Sequence, residues 1–401
     1  MIARTTPKQA IGSLVVFSDD WGRHPSSCQH LVHNLLDRYP VVWVNTIGTR
    51  APRFDLQTMK RVSEKLRQWG SGRLLTRGPK TSGAGDSRSP VHPNLTVRNP
   101  GMWPWFGSKS DRKLNRWLLS SQLKPVIAEL PEPVIGLTTL PITADLPDAM
   151  PVDRWVYYCV DDFSQWPGLD RDTLRRMDRT MIHRADSLLA VSETLQEMIA
   201  SEGRTSVLLT HGVDVDFWNG SSGAKTAAEL LRVPGPKIVF WGVIDRRMDA
   251  AMLHQLSLDM KDGTILLIGP QQDPDPAILG LSNVRTMPAQ PLESLPGIAQ
   301  QASVLVMPYA DLPVTRAMQP LKLKEYLATG KPVVVSQLPS TAAWRDCLDV
   351  AETPTEFSQL VRSRVRDGIP ESQMTARARL GQESWKSKAA LLEDVLRGIR
   401  S

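Results

Sequence analysis

A lysine and a glutamate three residues apart, Lys322 and Glu325, have the types and spacing of a site that could bind a nucleotide. A spacing of three places both side chains on one face of a helix. A lysine there can meet a phosphate, while a carboxylate can accept hydrogen bonds from the two hydroxyls of a ribose. The alternative is a solvated ion pair, which is common in helices and contributes roughly a few tenths of a kcal/mol.

The sequence around this pair predicts a helix followed at once by a strand. Pro320 suits the first helical turn, Gly330 can end the helix in a left-handed conformation, and Pro332 prevents its continuation. The apolar run 333–335 is typical of a buried parallel strand, and 304–309 predicts another strand upstream. In such a β–loop–α–β unit the helix N-terminus lies at the carboxyl edge of the sheet, where ligands bind and anions are favoured.

The composition is that of an ordinary globular chain. Its 401 residues, 41% hydrophobic and 22% charged, allow two α/β domains with substantial cores. Cys28, Cys159 and Cys347 are far apart in the sequence, which argues against a disulfide framework and for a reducing cytoplasm. The first apolar run, 14–17, is too short for the core of a signal peptide, and no apolar run approaches the length of a membrane span. We therefore expect a cytoplasmic protein.

The net charge of +6 is unevenly distributed. Between Thr49 and Lys124 there are 16 Lys or Arg against 4 Asp or Glu, a local +12, so the remainder carries 6 − 12 = −6. Such a basic block suggests an acidic partner: nucleic acid, an anionic membrane or a phosphorylated substrate. Because no recognised nucleic-acid motif accompanies it, we do not expect nucleic acid to be that partner.

Strand and helix patterns alternate in both halves of the chain, which predicts parallel sheets. Linker composition at 220–236 separates an expected N-terminal domain, 1–219, from a C-terminal domain, 237–401. The loop after the first strand should open at a carboxyl edge, where Trp21, Gly22 and Arg23 could meet an acceptor. No Gly-x-Gly-x-x-Gly occurs there, so a nicotinamide-type site has no support.

Several motifs resemble those of GT-B glycosyltransferases, family 4 in particular. The donor-nucleotide signature of that family is similar to Pro320-x-Lys322-x-x-Glu325-Tyr326-x-Ala328-x-Gly330-x-Pro332-Val333. Residues 185–192 and His211-Gly-Val-Asp214 resemble the end of the family's N-terminal domain. Residues 157–163 resemble a subgroup that acts in cell-surface polysaccharide synthesis, such as teichuronic acid glycosyltransferases.

This resemblance implies an α/β fold of two Rossmann-like domains with parallel sheets, facing each other across a cleft. The second domain would bind a nucleotide-sugar and the first an acceptor, a cell-surface polysaccharide or a lipid-linked glycan. In the family, Glu325 would be the second glutamate of an E-x7-E pair and would hold the ribose. The position of the first glutamate is Ala317 here.

The resemblance also implies which residues face the donor phosphates. Gly242, Gly269 and Pro320 correspond to backbone positions of the donor site, together with Lys322. Many relatives carry cations after the first strand of this domain, where the present chain has Val243 and Met248. Either Arg246 or Arg247 could supply that charge from a shifted position, so these two and Lys322 are the candidate catalytic residues. The alternative for the arginines is a surface pair beside Asp245 and Asp249.

The reaction implied is sugar transfer without a cofactor, since the nucleotide-sugar is a substrate. By resemblance it would retain anomeric configuration and need no metal. Asp161 and Asp162, on the acceptor side, lack the Asp-x-Asp spacing of a metal motif. Cys28, His30 and His33 are read as helix residues, since no fourth zinc ligand is evident. The alternatives are a nucleotide-sugar epimerase of GT-B fold and a non-catalytic nucleotide-sugar-binding protein.

Aromatic residues stand directly before basic ones late in the basic block. Trp103 and Trp105 precede a helix that carries Lys109, Arg112 and Lys113. Rings beside cations suit the interface of an anionic membrane, which would place the protein on the inner face of that membrane. The alternative is that the rings pack into the first domain while the cations are merely solvated.

Overall fold

The computed structural model of the chain describes residues 10–22, 26–45, 92–166, 168–220 and 233–400. Arg23 and most of the basic block lie outside these ranges. The chain divides into two compact units. The first comprises the described residues of Met1–Ala190, Gln196–Leu208 and Leu391–Ser401, and the second comprises those of Val191–Leu195 and Leu209–Ala390.

The first unit is built on a parallel sheet of seven described strands. One of its inner strands, β1, is buried along its whole length because Leu14 to Phe17 are apolar on both faces, as parallel strands covered by helices require. The spatial order is β3-β2-β1-β4-β5-β6-β7. The strands are β1 (Ser13–Ser18), β2 (Val41–Asn45), β3 (Leu95–Arg98), β4 (Val134–Thr138), β5 (Arg154–Cys159), β6 (Ser187–Ala190) and β7 (Val207–Leu208).

The second unit repeats this architecture with six described strands, also all parallel. A further pair of two-residue strands, β9 and β11, joins the loops that follow two of them. The main sheet has the order β12-β10-β8-β13-β14-β15. The strands are β8 (Lys237–Trp241), β9 (Ile244–Asp245), β10 (Thr264–Ile268), β11 (Gln271–Gln272), β12 (Val284–Met287), β13 (Val304–Met307), β14 (Val333–Ser336) and β15 (Asp349–Ala351).

Helices connect successive strands, and side-chain caps fix where several of them begin. Ser108 and Asp111 form a capping box at the longest one, and Asp249 caps another. The described helices are α1 (Ser27–His33), α2 (Lys109–Ile127), α3 (Arg171–Arg184), α4 (Glu193–Ser201), α5 (Val215–Asn219), α6 (Ala250–Asp259), α7 (Pro276–Leu279), α8 (Leu295–Gln301), α9 (Pro313–Ala317), α10 (Leu321–Ala328), α11 (Pro339–Ala342), α12 (Pro354–Asp367), α13 (Glu371–Ala376) and α14 (Trp385–Leu396). Single turns of 3₁₀ helix lie at Pro141–Thr143, Phe163–Gln165 and Leu292–Ser294, and a longer 3₁₀ segment lies at Arg377–Glu383. Of the helices in the described ranges, none combines the length and apolar composition needed to cross a bilayer.

The last residues of the chain pack with the first unit, whereas the sequence predicts them in the second domain. Glu393 is buried, and its Oε1 accepts hydrogen bonds from Tyr39 Oη at 2.6 Å and from Arg397 Nη2 at 2.7 Å. The same carboxylate forms an ion pair with Arg38. Arg38 and Tyr39 lie between α1 and β2, so the carboxylate ties the end of the chain to the first sheet.

Candidate functional site

Two glycines shape the carboxyl edge of the second sheet. Gly242 follows β8 and Gly269 follows β10, with φ of +139° and +149°. A Cβ on Gly269 would lie 1.9 Å from the carbonyl oxygen of Gly242, and a Cβ on Gly242 would lie 2.1 Å from Lys322 Nζ. Both positions therefore require glycine, and the space left at Gly242 is occupied by a lysine amine.

That amine belongs to Lys322 in the first turn of α10. Its Nζ donates to Tyr309 Oη at 2.7 Å and lies 4.2 Å from the centre of the Phe240 ring. Both aromatic residues end neighbouring strands, so the sheet edge holds the cation by a hydrogen bond and a cation–π contact. Pro320 caps α10, one residue before the helix begins, so the positive end of the helix dipole also faces this edge.

Glu325 lies one turn further along α10, on the same side as Lys322. In the described part of the chain these two side chains form no ion pair, so the simple surface pair considered above is not present. The indole Nε1 of Trp241 donates to Glu325 Oε2 at 3.5 Å. Burial raises the pKa of Glu325 to about 7, while the Trp241 hydrogen bond and the charge of Lys322 oppose that rise.

Aromatic packing fixes the indole that contacts Glu325. The ring of Trp241 stacks on Trp218 at a centroid distance of 5.6 Å and meets the edge of Tyr326 at 4.3 Å. The Trp241 backbone N–H donates to Tyr326 Oη at 3.0 Å. Sequence reasoning did not identify Trp241, Trp218 or Tyr309. Two features of the sequence could have pointed to them: Trp241 directly precedes Gly242, and Tyr309 lies at the end of a predicted strand.

The structure separates the two candidate arginines. Arg246 is exposed and pairs with Asp273 at 3.4 Å and Asp275 at 3.8 Å. Arg247 is buried and pairs with Asp245 at 2.8 Å, and its guanidinium lies 5.9 Å from the centre of the Tyr309 ring. Arg247 thus shares Tyr309 with Lys322, but its charge is already balanced by a carboxylate.

A second lysine in α10, which sequence reasoning missed, holds the helix in place. Lys324 is buried, forms an ion pair with Glu383, and donates to Thr210 Oγ1 at 3.1 Å and to the His211 carbonyl at 2.5 Å. Burial lowers the pKa of Lys324 to about 8, against the opposing effect of Glu383. The ring of His211 bonds the carbonyl oxygen of Gln319, just before α10, at 2.7 Å.

Ala317 ends α9, at the position where the resembling family has its first glutamate. It is 7% exposed, and its carbonyl oxygen accepts from Ser192 Oγ at 3.0 Å. The adjacent Arg316 is exposed and pairs with Asp311 at 2.5 Å. A buried methyl group therefore stands at this position.

In the first unit, the loop after β1 is held by side-chain hydrogen bonds. The backbone N–H of Trp21 donates to Asn45 Oδ1 at 2.9 Å, and that of Gly22 donates to Gln29 Oε1 at 3.0 Å. The Trp21 ring meets the edge of Trp43 at 4.7 Å. Asn45 ends β2, so the structure brings Trp21 and Gly22 to the carboxyl edge, as expected from the sequence.

Asp161 and Asp162 follow β5 at the same edge. Asp162 accepts from the backbone N–H and the hydroxyl of Ser164, at 3.0 and 2.6 Å, and so begins a 3₁₀ turn. Nearby, Tyr157 Oη donates to Asp178 Oδ1 at 2.5 Å, and burial raises the pKa of Asp178 to about 7. The α3 residue Asp178 is a titratable group that sequence reasoning missed. Within the described ranges, no cluster of His, Cys, Asp and Glu could hold a metal ion.

The aromatic residues before α2 are fixed by that helix. Trp103 is partly buried, and its indole donates to Asp111 Oδ1 at 2.8 Å. Trp105 is also partly buried, with its ring 4.8 Å from that of Trp103. Arg112 makes two hydrogen bonds to Asp145, at 2.7 and 2.6 Å. These three residues are therefore engaged within the first unit, whereas Lys109 and Lys113 are exposed.

Comparison with known proteins agrees with this fold. No protein-family model matches the chain. It is 32% identical over 181 residues to TuaH of Bacillus subtilis, described as a candidate teichuronic acid biosynthesis glycosyltransferase; the match covers 43% of this chain and 45% of TuaH, less than half of either.

Solved structures match almost the whole chain at low identity. Anabaena HepE in complex with UDP has a TM-score of 0.64 and 12% identity, covering 96% of this chain and 100% of HepE. Sucrose-phosphate synthase from Thermosynechococcus elongatus has a TM-score of 0.67 and 14% identity, covering 96% and 98%. The chain therefore has the two-domain α/β GT-B fold that the sequence predicts.

The environment of Glu325 predicts a pH-dependent stability. Because its pKa rises from 4.5 to about 7 on folding, the folded protein binds this proton more tightly than the unfolded chain. The resulting stabilisation is present below pH 4.5 and is lost as the pH rises through about 7. The free energy of unfolding of the wild type minus that of Glu325→Gln should fall by roughly 3 kcal/mol from acid to mildly alkaline pH, measured by urea denaturation.

A second variant checks the cause. Trp241→Phe removes the indole N–H that favours the carboxylate, so the midpoint of this pH dependence should move to higher pH. A difference between wild type and Glu325→Gln that stays constant with pH would contradict a raised pKa at this residue.

Proposed function

We propose that the chain is a glycosyltransferase that moves a sugar from a nucleotide-sugar to a cell-surface polysaccharide or lipid-linked acceptor. The observation that carries this proposal is the position of Lys322. Its amine occupies the space left by Gly242, at the N-terminus of α10, with Glu325 one turn away. A cation and a helix dipole are thus set for a diphosphate, and a carboxylate for a ribose.

In the proposed reaction the bond between the sugar's anomeric carbon and a diphosphate oxygen breaks, and the oxygen of an acceptor hydroxyl bonds that carbon instead. The hydroxyl proton passes to the departing diphosphate. The electron pair of the broken bond stays with the diphosphate, whose negative charge grows as the bond lengthens. Lys322 Nζ has three N–H groups. One donates a hydrogen bond to Tyr309 Oη, which leaves two that can donate to phosphate oxygens. Groups aimed at charge that develops in the transition state accelerate the reaction.

The donor and acceptor classes have separate support. HepE, which shares the fold, is solved with UDP and with UDP-glucose. TuaH shares a stretch of sequence with this chain, and its name refers to the biosynthesis of teichuronic acid, a cell-surface polysaccharide. We extend both to this chain as proposals, with transfer that retains anomeric configuration, needs no metal and takes place on the cytoplasmic side of the membrane.

Ala317 favours one other candidate, a nucleotide-sugar-binding protein that does not transfer sugar. With a buried methyl group in place of the family's first glutamate, contacts to the sugar would be fewer while those to the nucleotide remain. Turnover separates the two candidates: a transferase releases free nucleoside diphosphate when an acceptor is supplied, and a binding protein does not.

A panel of nucleotide-sugars tests donor binding and the role of Glu325. Thermal shift should identify one donor, and Glu325→Ala should weaken its binding by about 2–3 kcal/mol through the lost ribose hydrogen bonds. Glu371→Ala, an exposed residue in α13, is the matched control and should bind normally. Glu325→Ala should also lose the preference for a nucleotide with a ribose over one with a 2′-deoxyribose. A folded Glu325→Ala protein with unchanged nucleotide affinity would refute the ribose role.

Lys322→Ala should lower kcat as well as donor affinity, because the phosphate charge that Lys322 meets is larger in the transition state. Loss of one such charged donor costs roughly a hundredfold or more in kcat. Lys261→Ala, an exposed lysine beside the start of β10, serves as the control in steady-state kinetics. A change confined to KM would instead indicate equal binding of ground and transition states.

Chelation tests the proposed independence from metal. Wild-type turnover in EDTA should equal turnover without it, because Lys322 and the α10 dipole are proposed to meet the leaving-group charge. The comparison requires an assay that detects nucleoside diphosphate directly. Inhibition by EDTA that an added divalent cation reverses would overturn this part of the proposal.

A further inference from the structure

Helix α2 exposes its tryptophan and one of its leucines while it buries other apolar side chains. Trp117 is 65% exposed and Leu114 is 38% exposed. The sequence pattern of the helix predicts Leu114, Trp117 and Leu118 on its apolar side, but the structure turns Leu119, Leu123 and Ile127 inward. An exposed tryptophan and leucine on one helix form an apolar surface that requires a physical explanation.

The two apolar residues share one helix face with cations. Lys113, Leu114, Trp117, Ser121 and Lys124 recur at spacings of three, four and seven, and all are exposed. We call these five residues the Trp117 face. Lys109 and Arg116, also exposed, flank it.

Asp111, the acidic residue of α2, does not balance the positive charge of this face. Asp111 is turned to the N-terminus of α2, where it accepts from Ser108 Oγ at 2.6 Å and from the indole of Trp103 at 2.8 Å. Arg112 lies on another side of the helix, paired with Asp145. The face and its flanks therefore present four cations, those of Lys109, Lys113, Arg116 and Lys124.

The face is presented on a fixed support. Helix α2 begins at a capping box and spans 19 residues. Asn115, on the buried side, accepts from the backbone N–H of Trp103 at 2.8 Å and donates to the carbonyl of Trp105 at 2.9 Å. Trp103 and Trp105 brace the helix and are partly buried, which leaves Trp117 as the exposed ring.

We propose that the Trp117 face docks on an anionic lipid bilayer. The indole of Trp117 and the side chain of Leu114 enter the headgroup layer, while the four cations meet lipid phosphates and carboxylates. Cations next to an apolar centre suit an anionic bilayer, because both the buried apolar area and the charge then contribute to binding. A nucleic acid would use the cations but would leave Leu114 without a role.

Vesicle co-sedimentation of the full chain tests the proposal without any sugar donor, so its outcome is independent of the proposed enzymatic activity. The protein should bind phosphatidylglycerol-containing vesicles at low salt, bind phosphatidylcholine vesicles far more weakly, and dissociate as salt rises. Leu114→Ala/Trp117→Ala should reduce binding about tenfold. Lys113→Gln/Arg116→Gln should reduce it roughly twentyfold, since each cation near an anionic surface contributes about fivefold.

Matched controls exclude a general effect of removing exposed side chains. Leu258→Ala/Met374→Ala removes two apolar residues that are 50% and 58% exposed elsewhere in the chain, and it should bind as the wild type does. Circular dichroism and thermal unfolding confirm that each variant is folded. The proposal is overturned if the wild-type protein does not bind anionic vesicles at low salt. It is also overturned if Leu114→Ala/Trp117→Ala binds them as the wild type does. Tighter binding to single-stranded RNA than to vesicles, unaffected by Leu114→Ala/Trp117→Ala, also overturns it.

Discussion

The backbone contact between Gly242 and Gly269 is the constraint on which the second unit's edge depends. The Gly242 N–H donates to the Ile268 carbonyl at 2.8 Å, which continues the pairing of β8 and β10 past the end of the strand. A side chain on Gly269 would collide with the backbone of Gly242. The backbone segments at Gly242 and Gly269 can therefore approach closely, and the space beside them stays open for the Lys322 amine. The position of the cation thus follows from main-chain geometry.

Lys322 and Lys324 are two residues apart in α10 and have opposite environments. The amine of Lys322 lies at the sheet edge, bonded to the hydroxyl of Tyr309, while that of Lys324 is buried and pairs with Glu383. A buried ammonium without a counter-ion is costly, so the ion pair of Lys324 with the partly buried Glu383 constrains where the helix can lie. The helix N-terminus is thereby positioned by a residue that needs no contact with a ligand, which leaves Lys322 available for one.

Sequence patterns predicted the parallel architecture well because buried parallel strands are continuous apolar runs, such as the one at β14, and because helix caps have clear residue signals. They could not assign the faces of α2. Leu114 and Trp117 fit a helical apolar stripe, and so do Leu119, Leu123 and Ile127, so periodicity alone does not tell which stripe turns inward. Only the packing of α2 against Trp103 and Trp105 settles its rotation.

The candidate site was predictable to the extent that it lies within one segment. Lys322, Glu325 and Gly330 share a motif, whereas Trp241 and Glu325 are 84 residues apart and meet only because β8 and α10 share a sheet edge. The sequence offers Asp245 and Asp249 as neighbours of the two arginines, but it does not show that Arg247 is buried with Asp245 while Arg246 pairs with Asp273 and Asp275. Contacts across sequence distance, and the choice of partner among near neighbours, are what single-sequence reasoning leaves undetermined.

The bonds of Glu393 to Tyr39 and Arg38 have a consequence for biogenesis. A ribosome makes Arg38 and Tyr39 early and Glu393 late, so the first unit reaches its full set of contacts only after nearly the whole chain has emerged. The second unit is almost contiguous in sequence and lacks this dependence. Of the two units, the one whose synthesis begins first is therefore the one that is completed last.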